Sequence, residues 1–103
     1  MVAVVNHLHF TIPIDDLRTI VQEDGVPLIS KLPGFRDFFF VKVDSTHAIV
    51  IIFWKDAESA DAGAKIMGPN WFVKHFKPFL ARPEDRSVGE IIAAYKPELR
   101  LDP

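Results

Sequence analysis

Residues 35–56, FRDFFFVKVDSTHAIVIIFWKD, contain two apolar segments separated by a short polar turn. Residues 35–43 and 48–55 are rich in aromatic and β-branched side chains, so they predict two antiparallel strands joined at residues 44–46. Successive side chains of a strand point to opposite faces. In the first strand, one predicted face carries Phe35, Phe39, Val41 and Val43, and the opposite face carries Phe38 and Phe40. In the second strand, one face carries Val50, Ile52 and Trp54, and the opposite face carries Ile49, Ile51 and Phe53. Both faces of the sheet are therefore apolar.

The second apolar face predicts a partner subunit. Two helices can cover only one face of a four-stranded antiparallel sheet, and the other face is polar where water covers it. Leaving apolar residues in water costs about 1.5–3 kcal/mol for each large side chain. We therefore expect a homodimer in which two copies pack sheet against sheet as an eight-stranded dimeric α/β barrel.

The flanking segments complete an α+β unit. Residues 2–12 predict a first strand, and Asp56 is placed to cap a helix that ends near Met67. Gly68-Pro69 predicts a break in the helix. The chain then reads as a short helix over residues 71–80, which Asn70 caps, and a fourth strand over residues 87–96. With a helical region between the first two strands, the order is βαββαβ, the ferredoxin-like arrangement.

Length and composition limit the function classes. The 103 residues fit one domain, residues 1–103, with a short tail at 97–103. Twelve basic and fourteen acidic residues leave a net charge of −2, so we expect no nucleic-acid partner. The absence of cysteine excludes disulfides and thiolate catalysis. The longest apolar run, residues 48–54, is too short for a membrane span, and the N-terminus lacks a basic signal-peptide region, so we expect a cytoplasmic protein.

Asn6 is the polar exception in the first strand. The even positions of that strand are otherwise apolar, which predicts that they face the helices and that Asn6 lies between sheet and helices. The odd positions place His7 and His9 on the other face, toward the predicted second copy. Two such imidazoles from each subunit suit zinc, copper or iron. Polar side chains at a subunit interface are the commoner outcome of this pattern, and we predict no metal.

His75 is the predicted partner of Asn6. Trp71, His75 and Phe79 share one helical stripe, which predicts an imidazole facing inward among aromatic rings. An amide, an imidazole and aromatic walls can hold a flat organic ligand and exchange a proton with it. The alternative is that Asn6 and His75 are buried polar groups with partners in the protein and that the rings are core.

A basic stretch accompanies this helix. Residues 65–82 contain no acidic residue but include four basic ones, Lys65, Lys74, Lys77 and Arg82. They predict either a pocket rim that attracts an anion or an ordinary solvated helix face.

The chain resembles the antibiotic biosynthesis monooxygenase superfamily over roughly residues 2–96. The resemblance lies in the βαββαβ order, Asn6 in strand one, the segment LPGF at 32–35, VIIFWK at 50–55 and DAESA at 56–60. It implies a dimeric α/β barrel with a pocket between sheet and helices in each subunit. Some members oxygenate phenols or quinols with O2 and neither metal nor flavin, and others degrade heme. Asn6 and His75 match two residues of the heme-degrading members, whereas their tryptophan position falls near Lys65.

The resemblance favours a cofactor-independent monooxygenase acting with O2 on a small aromatic, quinol or polyketide-like substrate. Asn6 would bind the substrate oxygen and His75 would exchange the proton. The predicted substrate-binding residues are Phe10, Trp54, Lys65, Trp71, Phe76 and Phe79. One alternative is heme binding or heme degradation with His75 as axial ligand, and another is a non-enzymatic ligand-binding or interaction protein.

Overall fold

The computed structural model describes residues 1–95, so the predicted tail at 97–103 lies outside the described residues. The sheet has four antiparallel strands in the order β2-β3-β1-β4, as the ferredoxin-like prediction requires. The strands are β1 (Val2–His9), β2 (Phe35–Lys42), β3 (His47–Trp54) and β4 (Asp85–Glu90). Within residues 1–95 no helix has the length and apolar character that crossing a bilayer requires.

Two helical segments cover one face of the sheet. The first segment contains a 3-10 turn (Ile14–Asp16), α1 (Arg18–Ile20), the first π turn (Val21–Gly25) and α2 (Val26–Ile29). The second contains α3 (Ala57–Met67), the second π turn (Gly68–Phe72), α4 (Val73–His75) and a 3-10 turn (Lys77–Phe79). Each segment thus carries one π turn between two α-helical parts.

The second helical segment begins as predicted and then differs. The Asp56 side chain accepts a hydrogen bond from the backbone N–H of Ser59 at 2.8 Å, which confirms the predicted cap and holds the pKa of Asp56 below its usual range. The predicted end of the α-helix at Met67 is confirmed, but Gly68-Pro69 does not interrupt the helical path, because the backbone continues through the second π turn. Asn70 does not cap a helix, since its Nδ2 donates to the carbonyl of Ile66 at 2.9 Å.

The side chains alternate across the sheet as predicted, with one exception in β2. Phe38 and Phe40 pack with the helix-side core, whereas Phe39 is 45% exposed and Val41 39% exposed on the open face. Phe35 was predicted to share the face of Phe39, and that prediction is wrong. The strand register shifts between Phe35 and Asp37, and Phe35 meets the indole of Trp54 edge-on at 5.9 Å on the helix side. One extra residue in a strand moves the side chains before it to the other face.

Strand β4 is shorter than predicted and begins earlier. It spans Asp85–Glu90 rather than residues 87–96, and residues 91–95 have no regular structure. Glu90 pairs with Val2, the first residue of β1, and the Ile91 N–H donates to the carbonyl of Met1, so residues 92–95 have no strand residue left to pair with. Residue 96 of the predicted strand lies outside the described residues. All six residues of β4 are exposed.

The buried core consists of two clusters. The larger contains Leu8, Phe10, Ile14, Leu17, Val21, Ala48, Val50, Trp71 and Phe76, and the smaller contains Val2, Val4, Ile29, Trp54 and Ala60. In the smaller cluster the indole of Trp54 lies directly against Gly63 of α3, where a β-carbon would overlap the ring. This contact brings α3 close to the sheet.

We expect Gly63→Ala to lower the free energy of unfolding by about 1–3 kcal/mol, because the added methyl overpacks the Trp54 ring. Gly89→Ala is the control, since Gly89 lies in the exposed strand β4 and no residue beyond its chain neighbours lies within 4 Å of a β-carbon built there. Alanine restricts the unfolded chain more than glycine does, so the control should be as stable as the wild type or more stable. Urea unfolding of the two variants measures the difference, and equal stabilities would show that the Trp54 contact does not constrain the helix.

Candidate functional site

A cavity of about 340 Å³ lies between the sheet and the two helical segments. Its walls come from both core clusters, Leu8 and Trp71 from the larger one and Val4 and Trp54 from the smaller one. The aromatic wall consists of Phe38, Trp54, Trp71, Phe72 and Phe76. A mostly apolar cavity with a few polar groups is typical of a small-molecule site.

Asn6 brings an unsatisfied amide into this cavity. It lies in β1 between Val50 of β3 and Arg86 of β4, with its side chain on the helix-covered face as predicted. Its Oδ1 is buried and has no hydrogen-bond partner within the described residues. A buried acceptor without a partner costs about 1–3 kcal/mol, so a ligand that donates a hydrogen bond there is favoured.

Two charged side chains complete the polar part of the cavity. Glu84 and Arg86 line it, and Arg86 is directly opposite Asn6 in the β1–β4 register. The sequence interpretation missed both because it began the fourth strand at Ser87. Because side chains alternate between the two faces of a strand, counting back two residues from Val88 would have placed Arg86 on the helix-covered face. A guanidinium near an amide favours a ligand oxygen that carries or develops negative charge.

His75 does not lie where the helical stripe predicts. Its ring packs on Trp71 at 4.8 Å between centroids, its side chain is 31% exposed, and it is not among the cavity-lining residues. Its Nε2 is 3.7 Å from Oδ2 of Asp24 on the first helical segment. The predicted inward orientation of His75 is therefore wrong. The second π turn adds a residue to one helical turn, which rotates the following side chains away from a 3.6-residue stripe.

The structure brings together only some of the predicted substrate-binding residues. Trp54, Trp71 and Phe76 line the cavity with Asn6. Phe10 is buried behind that wall, edge-on to Phe76 at 5.3 Å.

The other predicted binding residues face water. Phe79 is 38% exposed, and Lys65 is exposed and paired with Asp61 at 3.1 Å. The remaining basic residues of that stretch, Lys74, Lys77 and Arg82, are exposed and do not line the cavity. The structure thus favours a solvated helix face over a basic rim.

His7 and His9 lie on the open face of the sheet, as predicted, and His47 joins them. Nδ1 of His7 is 3.1 Å from Nε2 of His47, and the ring of His9 stacks on that of His47 at 4.1 Å. We call these three residues the histidine cluster. Sequence reasoning placed His47 next to a turn and missed it, because only the register pairs it with His9. In the part of the chain that the structure describes, no group of three His, Cys, Asp or Glu side chains could hold a metal ion.

The surroundings of His9 favour its neutral form. Partial burial lowers the pKa of His9, and the positive charges of Arg82, His47 and His7 lower it further, against a smaller opposing effect of Asp44.

Comparison with known proteins shows the fold. No protein-family model matches the sequence, and no curated protein matches it. A Nitrosomonas europaea protein of unknown function is 16% identical with a TM-score of 0.77 and covers 93% of both chains. The monooxygenase ActVA-Orf6 of Streptomyces coelicolor, solved with nanaomycin D, is 17% identical with a TM-score of 0.74, covering 93% of this chain and 91% of that chain.

A third solved structure is SnoaB, a cofactor-independent oxygenase from Streptomyces nogalater. It is 10% identical with a TM-score of 0.76, covering 90% of this chain and 94% of that chain. Structures of antibiotic biosynthesis monooxygenases also match over 90% of this chain. The chain therefore shares the fold of these solved structures, the ferredoxin-like arrangement that the sequence predicts for one subunit.

The histidine cluster predicts a loss of stability in mild acid. Because the pKa of His9 is below its usual 6.5 in the folded chain, the unfolded chain binds more protons as the pH falls below about 6.5. The free energy of unfolding should therefore fall between about pH 7.5 and pH 5. The carboxyl groups with a lowered pKa, Asp15, Asp44 and Asp56, lose their contribution only below about pH 4. Urea unfolding at the two pH values measures the loss.

The variant that isolates this effect is His9→Phe, which keeps a stacking ring but binds no proton. It should lose less stability than the wild type over the same pH interval. Equal losses in the two proteins would contradict the role of His9.

Proposed function

We propose that this protein is an oxygenase of the antibiotic biosynthesis monooxygenase type. It would use O2 without metal or flavin on a small electron-rich aromatic, quinol or polyketide-like substrate. The observation that carries the proposal is Asn6, which lines an aromatic-walled cavity opposite Arg86 and whose buried Oδ1 lacks a partner within the described residues. The shared fold with ActVA-Orf6 and SnoaB supports it.

The polar side of the cavity suits an ionisable hydroxyl group. A phenolic O–H donates to Oδ1 of Asn6, and Arg86 stabilises the oxygen once the proton has left. A carboxamide serves both states, because its oxygen accepts from the hydroxyl and its NH2 group can donate to the anion. Glu84, the carboxylate among the cavity-lining residues, takes the proton in place of His75.

The reaction balances without an external reductant. In a substrate with a CH2 group activated by the phenolate ring, the electron-rich carbon reduces O2 and forms a C–O bond. One oxygen atom becomes a carbonyl oxygen, and the other leaves as water with the two hydrogens of that CH2 group. The protein supplies orientation against the aromatic wall and stabilisation of the anion.

The geometry does not favour heme. Among the cavity-lining residues of the described chain there is no imidazole, and His75, the predicted axial ligand, packs outside the cavity beside Asp24.

We also propose that a second copy covers the open face of the sheet. Phe39 and Phe53 meet edge-on there at 5.9 Å, and Phe39 is 45% exposed in the single chain. Ile49 and Ile51 of β3 lie on the same face. Apolar surface of this kind is stabilised when a symmetric partner buries it. We also propose a cytoplasmic location for this dimer, which is supported by a longest apolar run of only seven residues, 48–54.

Oxygen uptake tests the chemistry. We expect the purified protein to consume O2 with members of a panel of hydroquinones, dihydroxynaphthalenes and anthrones, measured with an oxygen electrode. Removing the amide in Asn6→Ala should lower the rate about 100-fold, the typical effect of losing one group that stabilises a developing anion. The matched control is Asn70→Ala, which removes an exposed amide outside the cavity and should keep the wild-type rate.

Arg86→Gln should also lose activity, while Arg82→Gln, an exposed arginine outside the cavity, should not. Binding of the panel compounds without O2 uptake by the folded wild type would identify a ligand-binding protein and end the oxygenase proposal.

Sedimentation tests the dimer. We expect about twice the 11.7 kDa of one chain for the wild type, and a monomer for Ile51→Glu, because burying an unpaired carboxylate in the open face is unfavourable. Ala62→Glu places the same charge on the exposed side of α3 and should remain dimeric. A wild-type monomer would overturn the covered sheet face.

A further inference from the structure

The two helical segments are joined by a short polar contact above the cavity. Nε1 of Trp71 donates a hydrogen bond to Oδ2 of Asp24 at 2.7 Å. This distance is at the short end of the range for an N–H donor, as charge-assisted hydrogen bonds are. His75 Nε2 lies 3.7 Å from the same oxygen, too far for a direct hydrogen bond. The Trp71 N–H is therefore the group that the carboxylate holds.

The residue after Asp24 supports the same ring. A β-carbon on Gly25 would lie 2.9 Å from Cζ2 and 3.1 Å from Cε2 of Trp71, so the indole rests on the bare backbone of the first π turn. On its other sides the ring contacts His75 and Phe76, each at 4.8 Å between centroids. Trp71 is only 5% exposed and lines the cavity.

This arrangement leaves the cavity face of Trp71 without a free donor. The indole has a single N–H, and Asp24 occupies it. Trp71 therefore offers a ligand its apolar surface only, and the polar contacts fall to the opposite side of the cavity, at Asn6 and Arg86. The orientation of the ring then depends on an acidic side chain that does not line the cavity itself.

We propose that Asp24 is the positioning residue of the cavity. Its carboxylate holds the Trp71 indole on Gly25 and links the first π turn to the second. It thereby sets the width of the cavity at its aromatic wall, where a planar ligand would lie. The inference rests on the cavity of the proposed function but not on its oxygen chemistry. Single π turns recur at functional sites because they redirect side chains within a helix. Here two of them face each other through one hydrogen bond.

The indole N–H resonance of Trp71 is the direct test. The resonance is assigned in ¹H–¹⁵N NMR spectra of the full chain from its absence in Trp71→Phe. We expect Asp24→Ala to shift it upfield and to accelerate exchange of the N–H with water, because the hydrogen bond is lost. Asp24→Asn keeps an oxygen acceptor and should retain slow exchange. Glu23→Ala removes the neighbouring exposed acid and should leave the resonance unchanged.

A double-mutant cycle tests the effect on binding, with 1,8-dihydroxyanthraquinone as the probe. Asp24→Ala should weaken its binding about 10-fold, within the usual range of coupling between residues in contact. The affinity of Asp24→Asn for the probe should stay within about 3-fold of the wild type, because asparagine retains a side-chain oxygen that accepts the hydrogen bond. In the Trp71→Phe background Asp24→Ala should change the affinity less than about 2-fold, because the group that Asp24 holds is gone.

The outcomes separate this inference from the proposed function. A native indole resonance in Asp24→Ala, or an equal loss of affinity in both backgrounds, would overturn the positioning role. A wild-type protein that does not bind the probe would count against the proposed substrate class. The resonance in Asp24→Ala would then decide the role of Asp24 alone.

Discussion

Two tryptophan rings that pack on glycines fix the walls of the cavity in this protein. Trp54 reaches from β3 to Gly63 of α3, and Trp71 reaches across to Gly25 of the first π turn. Protein interiors normally close-pack, so a cavity of about 340 Å³ persists only between walls that cannot move together. The two contacts provide such walls, one in each core cluster. The site persists because each ring is packed against a glycine and does not fill the cavity.

Most of the fold could be predicted because it depends on local patterns. The alternation in β1 and β3, the turn at Asp44 and the cap at Asp56 each rest on a few neighbouring residues. The face of Phe35 could not be predicted, because it depends on a bulge that only pairing with β3 reveals. The start of β4 likewise depends on where β1 offers a partner.

The candidate site was less predictable than the fold. Asn6 was identified because a lone polar side chain stands out in an apolar strand face. His75 and Phe79 were misplaced because the stripe was drawn for a regular α-helix, whereas the segment passes through a π turn, a short α-helix and a 3-10 turn. The Asp24–Trp71 contact joins residues 47 positions apart, and no sequence spacing indicates it.

Strand β4 contributes to the charge of the cavity but not to the buried core of the fold. All its residues are exposed, and none belongs to the buried part of either core cluster. Yet this edge carries Arg86, and Glu84 lies just before it. Substitutions there can exchange a cation for an anion or a neutral group beside Asn6 while both tryptophan–glycine contacts stay intact. The architecture is therefore evolvable in a specific sense: ligand selectivity can diverge along one solvent-facing edge without repacking the interior.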